Sequence, residues 1–209
     1  LGSGREWDLT RKKGGLNIIP PFAQKNINIY NGRVEAIASI LDFVKRQKEK
    51  YVIMADTNVA VNFDFKDLLQ QHISSGADVT IAYTKEEVPK ALLDIDVTKK
   101  DLYYTLGIDD DGRVNKIEVS SKEPGVQNVS MNIYVIEREL LMNQVREAHL
   151  NGRTYFERDI ISPQLDKLNV KAYQHKGYYA RILDTNTYFA ENMKMLEEEN
   201  VEALFSPNP

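Results

Sequence analysis

Apolar positions along this chain follow two different spacings. From Arg33 to Lys48, Val34, Ile37, Ile40, Leu41 and Val44 recur every three to four residues, with Glu35, Asp42, Lys45 and Arg46 on the other faces. That spacing predicts an amphipathic helix. Tyr51-Val-Ile-Met-Ala55 is an unbroken apolar run, as expected of a strand covered on both faces, and it ends in a polar tip, Asp56-Thr57-Asn58. Phe65, Leu68, Leu69, His72 and Ile73 form a second helical stripe stopped by Gly76, and Asp78-Val-Thr-Ile-Ala-Tyr83 is again β-rich. Strand, helix, strand with short links is the βαβ pattern, whose crossover is right-handed.

The later chain reads differently. Leu102 to Ile108 and Arg113 to Val119 flank Asp109-Asp-Asp-Gly112, whose Asp-Gly pair favours a hairpin. Val129 to Ile136 is a strand leading into a helix from Glu137 to about His149. Tyr155 to Leu168 reads as helical, with Pro163 as a kink or restart. Val170 to Gln174 and Tyr178 to Leu183 read as strands. A last helix is expected from Thr187 to Glu199, where Glu197, Glu198 and Glu199 oppose the dipole of its C-terminal end. Residues 1–32, rich in Gly, Pro and Asn, read mostly as loop, with one short strand in Gly14-Gly15-Leu-Asn-Ile-Ile-Pro20-Pro21. These elements sum to one α/β domain over residues 1–199 with a mixed sheet, parallel at first and antiparallel later, and a linker-like tail over 200–209.

Composition narrows the functional classes. At 209 residues and 42% apolar content the chain can bury a real core, and disorder is excluded. A net charge of −4 supplies no general basic field for nucleic acid or an anionic membrane. Cysteine is absent, which excludes disulfide scaffolds, thiolate zinc sites and thiol catalysis, and fits a reducing cytoplasm. The three histidines, 72, 149 and 175, lack the H-x-x-x-H spacing of a zinc protease. No apolar run reaches the roughly 18–20 residues of a membrane span. The first residue is Leu and the chain closes on Ser206-Pro-Asn-Pro209, so a segment of a longer protein is expected.

Ligands of such sheets sit beyond the carboxyl ends of strands, so Asp56-Thr57-Asn58 is the first place to look. Paired acids there would hold a divalent metal against phosphates, but Asn58 is neutral; the alternative is a cap in which Asp56 bonds backbone amides. Asp109 to Gly112 lacks the spacing of a calcium loop and reads as a solvated turn. Asp94-Ile-Asp96 has the form of the D-x-D of metal-dependent glycosyltransferases but does not follow a buried strand. Tyr103, Tyr104, Tyr134, Tyr178 and Tyr179 offer stacking surfaces for a sugar or base, or else sheet packing. Arg5, Arg11, Lys12 and Lys13 form a small basic loop, and His72, on an apolar helix face, reads as a core residue.

The order of motifs is more specific than any one of them. Gly4-Arg-Glu-Trp7-Asp8, Gly14-Gly15 and Pro20-Pro21 are followed by Tyr30-Asn-Gly32-Arg-Val-Glu-Ala36, Asp56-Thr57-Asn58 and Gly76-Ala-Asp78. Next come Asp111-Gly112-Arg113, Ser130-Met131-Asn132-Ile-Tyr134, Phe156-Glu-Arg-Asp159-Ile-Ile, Gly177-Tyr178-Tyr179 and Ala190-Glu-Asn192-Met193. This order resembles the bacterial ADP-glucose pyrophosphorylases (glucose-1-phosphate adenylyltransferases) over essentially the whole chain. The resemblance implies a three-layer, Rossmann-like nucleotide-diphospho-sugar transferase domain with a mixed, mostly parallel sheet. The stretch of the family that the resemblance covers leaves out its N-terminal Gly-rich nucleotide loop and its C-terminal β-helix.

In catalytic members, two Asp residues hold Mg²⁺ between ATP and the sugar phosphate. The resemblance places Asn58 and Arg181 at those positions, Ser120 where a phosphate-binding Lys belongs, and Tyr155 where a sugar-contacting Asp precedes Phe156. Ser130 and Tyr179 are further substrate-side positions, and Gly14, Gly15 and Gly32 fall on the nucleotide side. Three of these four changes, Asn58, Arg181 and Ser120, weaken cation or phosphate binding. At about 4 Å and an effective dielectric near 20 a unit charge pair is worth about 4 kcal/mol, so an Arg at a metal position turns attraction into repulsion. The resemblance thus implies a regulatory, catalytically weak or inactive subunit, most like the accessory D-type subunit of glycogen synthesis. It would be cytoplasmic, hetero-oligomeric with a catalytic subunit, and would bind ATP or glucose 1-phosphate weakly at most. It would have no resident cofactor and no nucleic-acid or membrane partner. Two rivals stand beside it: an active sugar-1-phosphate nucleotidyltransferase with an atypical metal shell from Asp56 and Asp184, and a metal-dependent glycosyltransferase.

Overall fold

A computed structural model describes residues 16–19, 30–87, 103–121, 123 and 125–206. The helical stripe after Gly32 forms two short helices, α1 (Arg33–Ser39) and α2 (Leu41–Lys45), broken at Ile40. Ser39 Oγ bonds the Ala36 carbonyl at 2.7 Å and lies 2.8 Å from the Tyr30 hydroxyl. A side chain that bonds the preceding turn competes with the helical ladder, and the periodicity alone does not reveal it. Strand β1 (Tyr51–Met54) and the short β2 (Val59–Val61) precede α3 (Phe65–Ser74). The Asp64 carboxylate caps α3 by accepting from Lys66 and Asp67 N–H, and Gly76, at φ 62°, ends the turn that follows it.

Strand β3 (Val79–Glu87) is followed by the hairpin of β4 (Tyr104–Ile108) and β5 (Val114–Val119). Gly112 turns the hairpin at φ 73°, while Asp109 Oδ1 accepts the Asp111 and Arg113 N–H groups, so the acidic triplet is a turn. The long β6 (Val126–Glu137) runs into α4 (Arg138–Leu150). Beyond it, a π-helical turn (Glu157–Ile161) and a 3-10 turn (Ser162–Gln164) replace the expected helix, with Pro163 in the 3-10 turn, where its missing N–H costs least. The chain closes with β7 (Val170–Gln174), β8 (Tyr179–Arg181), α5 (Thr185–Lys194) and α6 (Glu198–Phe205).

The main sheet has six strands in the order β5-β4-β6-β3-β7, with β1 also paired to β6. β3 flanks β6 along its length, so β1 and β4 share the opposite edge, at the C-terminal and N-terminal halves of β6. By direction four strands, β1, β3, β4 and β7, run one way and β5 and β6 run against them. The α/β fold with a mixed sheet is as the sequence implies, but one pairing, β3 with β7, is parallel and the others are antiparallel. Central β6, inserted between β1 and β3, separates the two strands of the βαβ unit.

Alternation along β3 and β6 sends side chains to two cores. Val79, Ile81, Tyr134 and Ile136 pack with Val34, Val145 and Phe156 on the face of α1, α4 and the π turn. Ala82, Ile133 and Val135 pack with Phe63 and Leu68 on the face of α3. The result is three layers. β2 and β8 form a separate two-stranded sheet.

Three further readings change. Leu16–Ile19 is irregular and exposed instead of a strand. The last helix divides at Met195, so Glu197, Glu198 and Glu199 stand at the N-terminus of α6, where acidic charge is favourable. α6 covers residues expected in the tail, and the Asn62 amide donates to the Ser206 carbonyl at 2.7 Å. Asp94, Asp96, Arg5, Arg11, Lys12, Lys13, Gly14 and Gly15 lie outside the described residues. Among the described residues no helix is long and apolar enough to cross a membrane.

Candidate functional site

A cleft of about 670 Å³ opens between α1, the tip beyond β1, β8 and the π turn. Its lining includes Gly32, Arg33, Asp56, Asn58, Asn132, Tyr155, Phe156, Glu157 and Arg181. The tip beyond β1 is therefore at a concave site, as strand-end logic requires.

Gly32 enters the cleft wall because nothing larger fits. A Cβ there would lie 2.5 Å from the Thr154 carbonyl oxygen and 2.6 Å from Thr154 Cγ2. The same carbonyl accepts the Val34 N–H at 3.2 Å. Thr154 is pinned in turn by Asp159, whose Oδ2 accepts the Thr154 and Tyr155 N–H groups at 3.0 and 2.9 Å. Burial opposes the Asp159 charge, but Arg158 and these amides outweigh it and hold its pKa down to about 2. Phe156 is fully buried, edge-on to Tyr134, while Tyr155 stands under the Arg158 guanidinium at 4.2 Å from its ring centroid.

The polar end of the cleft is a closed network. Arg33 pairs with Glu157 and donates to Asp56 Oδ1 at 2.6 Å. The other Asp56 oxygen accepts from Asn132 Nδ2 at 2.7 Å, and Tyr134 Oη donates to Glu157 at 2.5 Å and lies 3.1 Å from Asn132 Oδ1. Burial opposes the charge of Arg33, yet the Glu157 and Asp56 carboxylates and Tyr134 outweigh it and its pKa is raised. Asn132 reaches this position through a bulge: β3 pairing steps from Ile133 to Ser130, and Asn132 takes φ 57°, a conformation asparagine tolerates.

Asn58 and Arg181 both line the cleft. Asn58 Nδ2 donates to the Ile182 carbonyl at 3.2 Å and the Asn58 backbone carbonyl accepts the Ile182 N–H at 2.8 Å, fastening β2 to β8. Arg181 lies on β8 opposite Val59 and acts electrostatically on Glu86 and Tyr179. Ser120, Ser130 and Tyr179 are not in the lining. Ser120 is buried just past β5 at φ 49°, and Ser130 Oγ accepts the Asn132 N–H inside the bulge. Tyr179 buries its hydroxyl with no hydrogen-bond partner among the described residues. Asp184 caps α5 in a reciprocal box with Thr187 and lies outside the cleft, so the atypical shell of Asp56 with Asp184 is not assembled. His72 is a core residue, 1% exposed, with Nδ1 2.8 Å from Thr80 Oγ1.

Sequence reasoning missed Arg33, Asn132 and Glu157 as site residues. The available signal was a charge placed inside two motifs of the resemblance: Arg33 in the Gly32 helix start and Glu157 directly after Phe156. Asn132 carried no such signal, because its role depends on the bulge.

Comparison with known proteins agrees with this fold. The model of the nucleotidyl transferase family matches residues 10–198. The glucose-1-phosphate adenylyltransferase of Clostridium novyi is 25% identical over the whole chain and 53% of its own length. Those of Clostridium botulinum (strain Alaska E43) and Bacillus subtilis are 28% and 26% identical, over 96% and 98% of this chain and 50% and 53% of their own lengths. The chain spans about half the length of these curated relatives. The crystal structure of HddC from Yersinia pseudotuberculosis superposes with a TM-score of 0.57 at 19% identity, covering 80% of this chain and 64% of that one, a likeness of fold. The chain belongs to the nucleotidyl transferase family and is homologous to the glucose-1-phosphate adenylyltransferases.

Proposed function

We propose that this chain is part of a regulatory, catalytically weak or inactive subunit of a glucose-1-phosphate adenylyltransferase, acting in the cytoplasm in glycogen synthesis. It pairs with a catalytic homologue and modulates it, most like the accessory D-type subunit. The holoenzyme would convert ATP and glucose 1-phosphate to ADP-glucose and diphosphate.

The observation that carries this reading is the charge of the cleft. Magnesium, the ion implied for catalytic members, needs unengaged anionic oxygens in near-octahedral array. Here Asn58 is neutral and commits its amide to Ile182, Arg181 brings a positive charge, and both Asp56 oxygens are engaged by Arg33 and Asn132. The donor set does not fit the ion. The cleft keeps a volume of about 670 Å³ with Tyr155 in its lining, which supports weak ligand binding without turnover.

The test is an assay of the full-length protein for ADP-glucose formation, alone and mixed with a catalytic homologue. Negligible turnover alone, with altered kinetics of the partner on mixing, is the expected result. Robust turnover by the protein alone would overturn the reading.

A further inference from the structure

Arg33 holds two carboxylates that come from distant parts of the chain. One guanidinium nitrogen pairs with Glu157 on the π turn, and the other donates to Asp56 Oδ1 at 2.6 Å beyond β1. Each acid has a second partner, Asn132 Nδ2 on Asp56 and the Tyr134 hydroxyl on Glu157. The guanidinium carbon also lies 5.1 Å from the Tyr134 ring centroid, so the cation is held from its face as well as its edge. Glu157 is 3% exposed. A carboxylate so buried requires a fixed counter-charge, and a planar fork supplies it with directed bonds that a hydrated ion would have to displace.

We infer that Arg33 is a resident side-chain cation standing in for a divalent ion: it neutralises Asp56 and Glu157 and closes the cleft to metal. This rests on the proposed reading only for which ion is excluded. The geometry has a direct consequence: whatever anionic ligand the cleft accepts binds without a divalent ion. Among the described residues no three acidic or imidazole groups converge to hold a metal ion in another place.

The test uses Mn²⁺ as the probe, read by electron paramagnetic resonance of the free ion and water proton relaxation on the full-length protein. Wild type and Asp56→Asn should bind Mn²⁺ identically. Arg33→Gln, checked for folding by circular dichroism, should gain affinity of at least about tenfold, because a unit charge at contact distance is removed. That gain should vanish in Arg33→Gln/Asp56→Asn. Binding by wild type that Asp56→Asn abolishes would overturn the inference, and so would a folded Arg33→Gln that gains none. The wild-type comparison decides the matter even where Arg33→Gln fails to fold. Failure here is separable from failure of the proposed function. An inactive chain whose Asp56 holds Mn²⁺ sinks this inference alone, whereas an active chain with a metal-free Asp56 sinks only the regulatory reading.

Discussion

The Arg33 guanidinium and the Asp56 carboxylate meet at 2.6 Å, joining the first turn of α1 to the tip of β1. The same guanidinium reaches Glu157, so one side chain ties together three walls of the cleft.

Removing that cation should be costly. Arg33→Met leaves Glu157 buried without a counter-charge and is expected to destabilise the protein by about 3 kcal/mol. Pairing it with Glu157→Gln should recover at least about 1 kcal/mol, since the buried charge is gone. Urea unfolding of the two single variants and the double variant closes the cycle. Strict additivity would show that the pair is not coupled.

Gly32→Ala places a methyl 2.5 Å from the Thr154 carbonyl oxygen. Backbone cannot yield as a flexible side chain does, so a loss of about 1–3 kcal/mol is expected. Thermal unfolding measures it. A neutral substitution would mean that the Thr154 segment moves freely away from α1.

Asn132 separates two effects at one position. Asn132→Ala and Asn132→Gly both lose the bond to Asp56, but only alanine keeps a Cβ at φ 57°. Alanine should therefore be the less stable by about 1 kcal/mol. Equal stabilities would count against a strained bulge.

Asp159 gives the protein an acid limit. Its pKa is depressed to about 2 in the folded state from an ordinary value of 3.8. A depressed carboxylate stabilises fully above its unfolded value and loses that contribution as pH falls through the folded one. Asp159→Asn should cost about 1–2 kcal/mol at neutral pH, the scale of charge-assisted bonds. The gap between variant and wild type should narrow as pH falls below about 4 and close near about pH 1, as followed by urea titrations at stepped pH. A gap that does not narrow across this range would refute the electrostatic account.

Much of the architecture was legible because it is governed by local periodicity. The Phe65 to Ile73 stripe, the Val79 to Tyr83 run and the Asp109 to Gly112 turn each sit where spacing and turn chemistry put them. The elements that read wrongly depend on competitors that spacing does not register. The Ser39 hydroxyl interrupts one helix, and Pro163 joins a π turn with a 3-10 turn in place of another. Glu197, Glu198 and Glu199 show the same limit: their charge is visible, but which helix end they face depends on where the break falls.

The sequence by itself determined the alternation of helix and strand and the polar tip at Asp56-Thr57-Asn58. Those features reside in residue type and near-neighbour order. Only the tertiary structure decided that β6 lies between β1 and β3, that Asn132 bends inward at a bulge and that Arg33 and Glu157 meet across 124 residues. Contacts at such separation follow from which faces bury together, a property of the packed sheet that no window of the sequence contains.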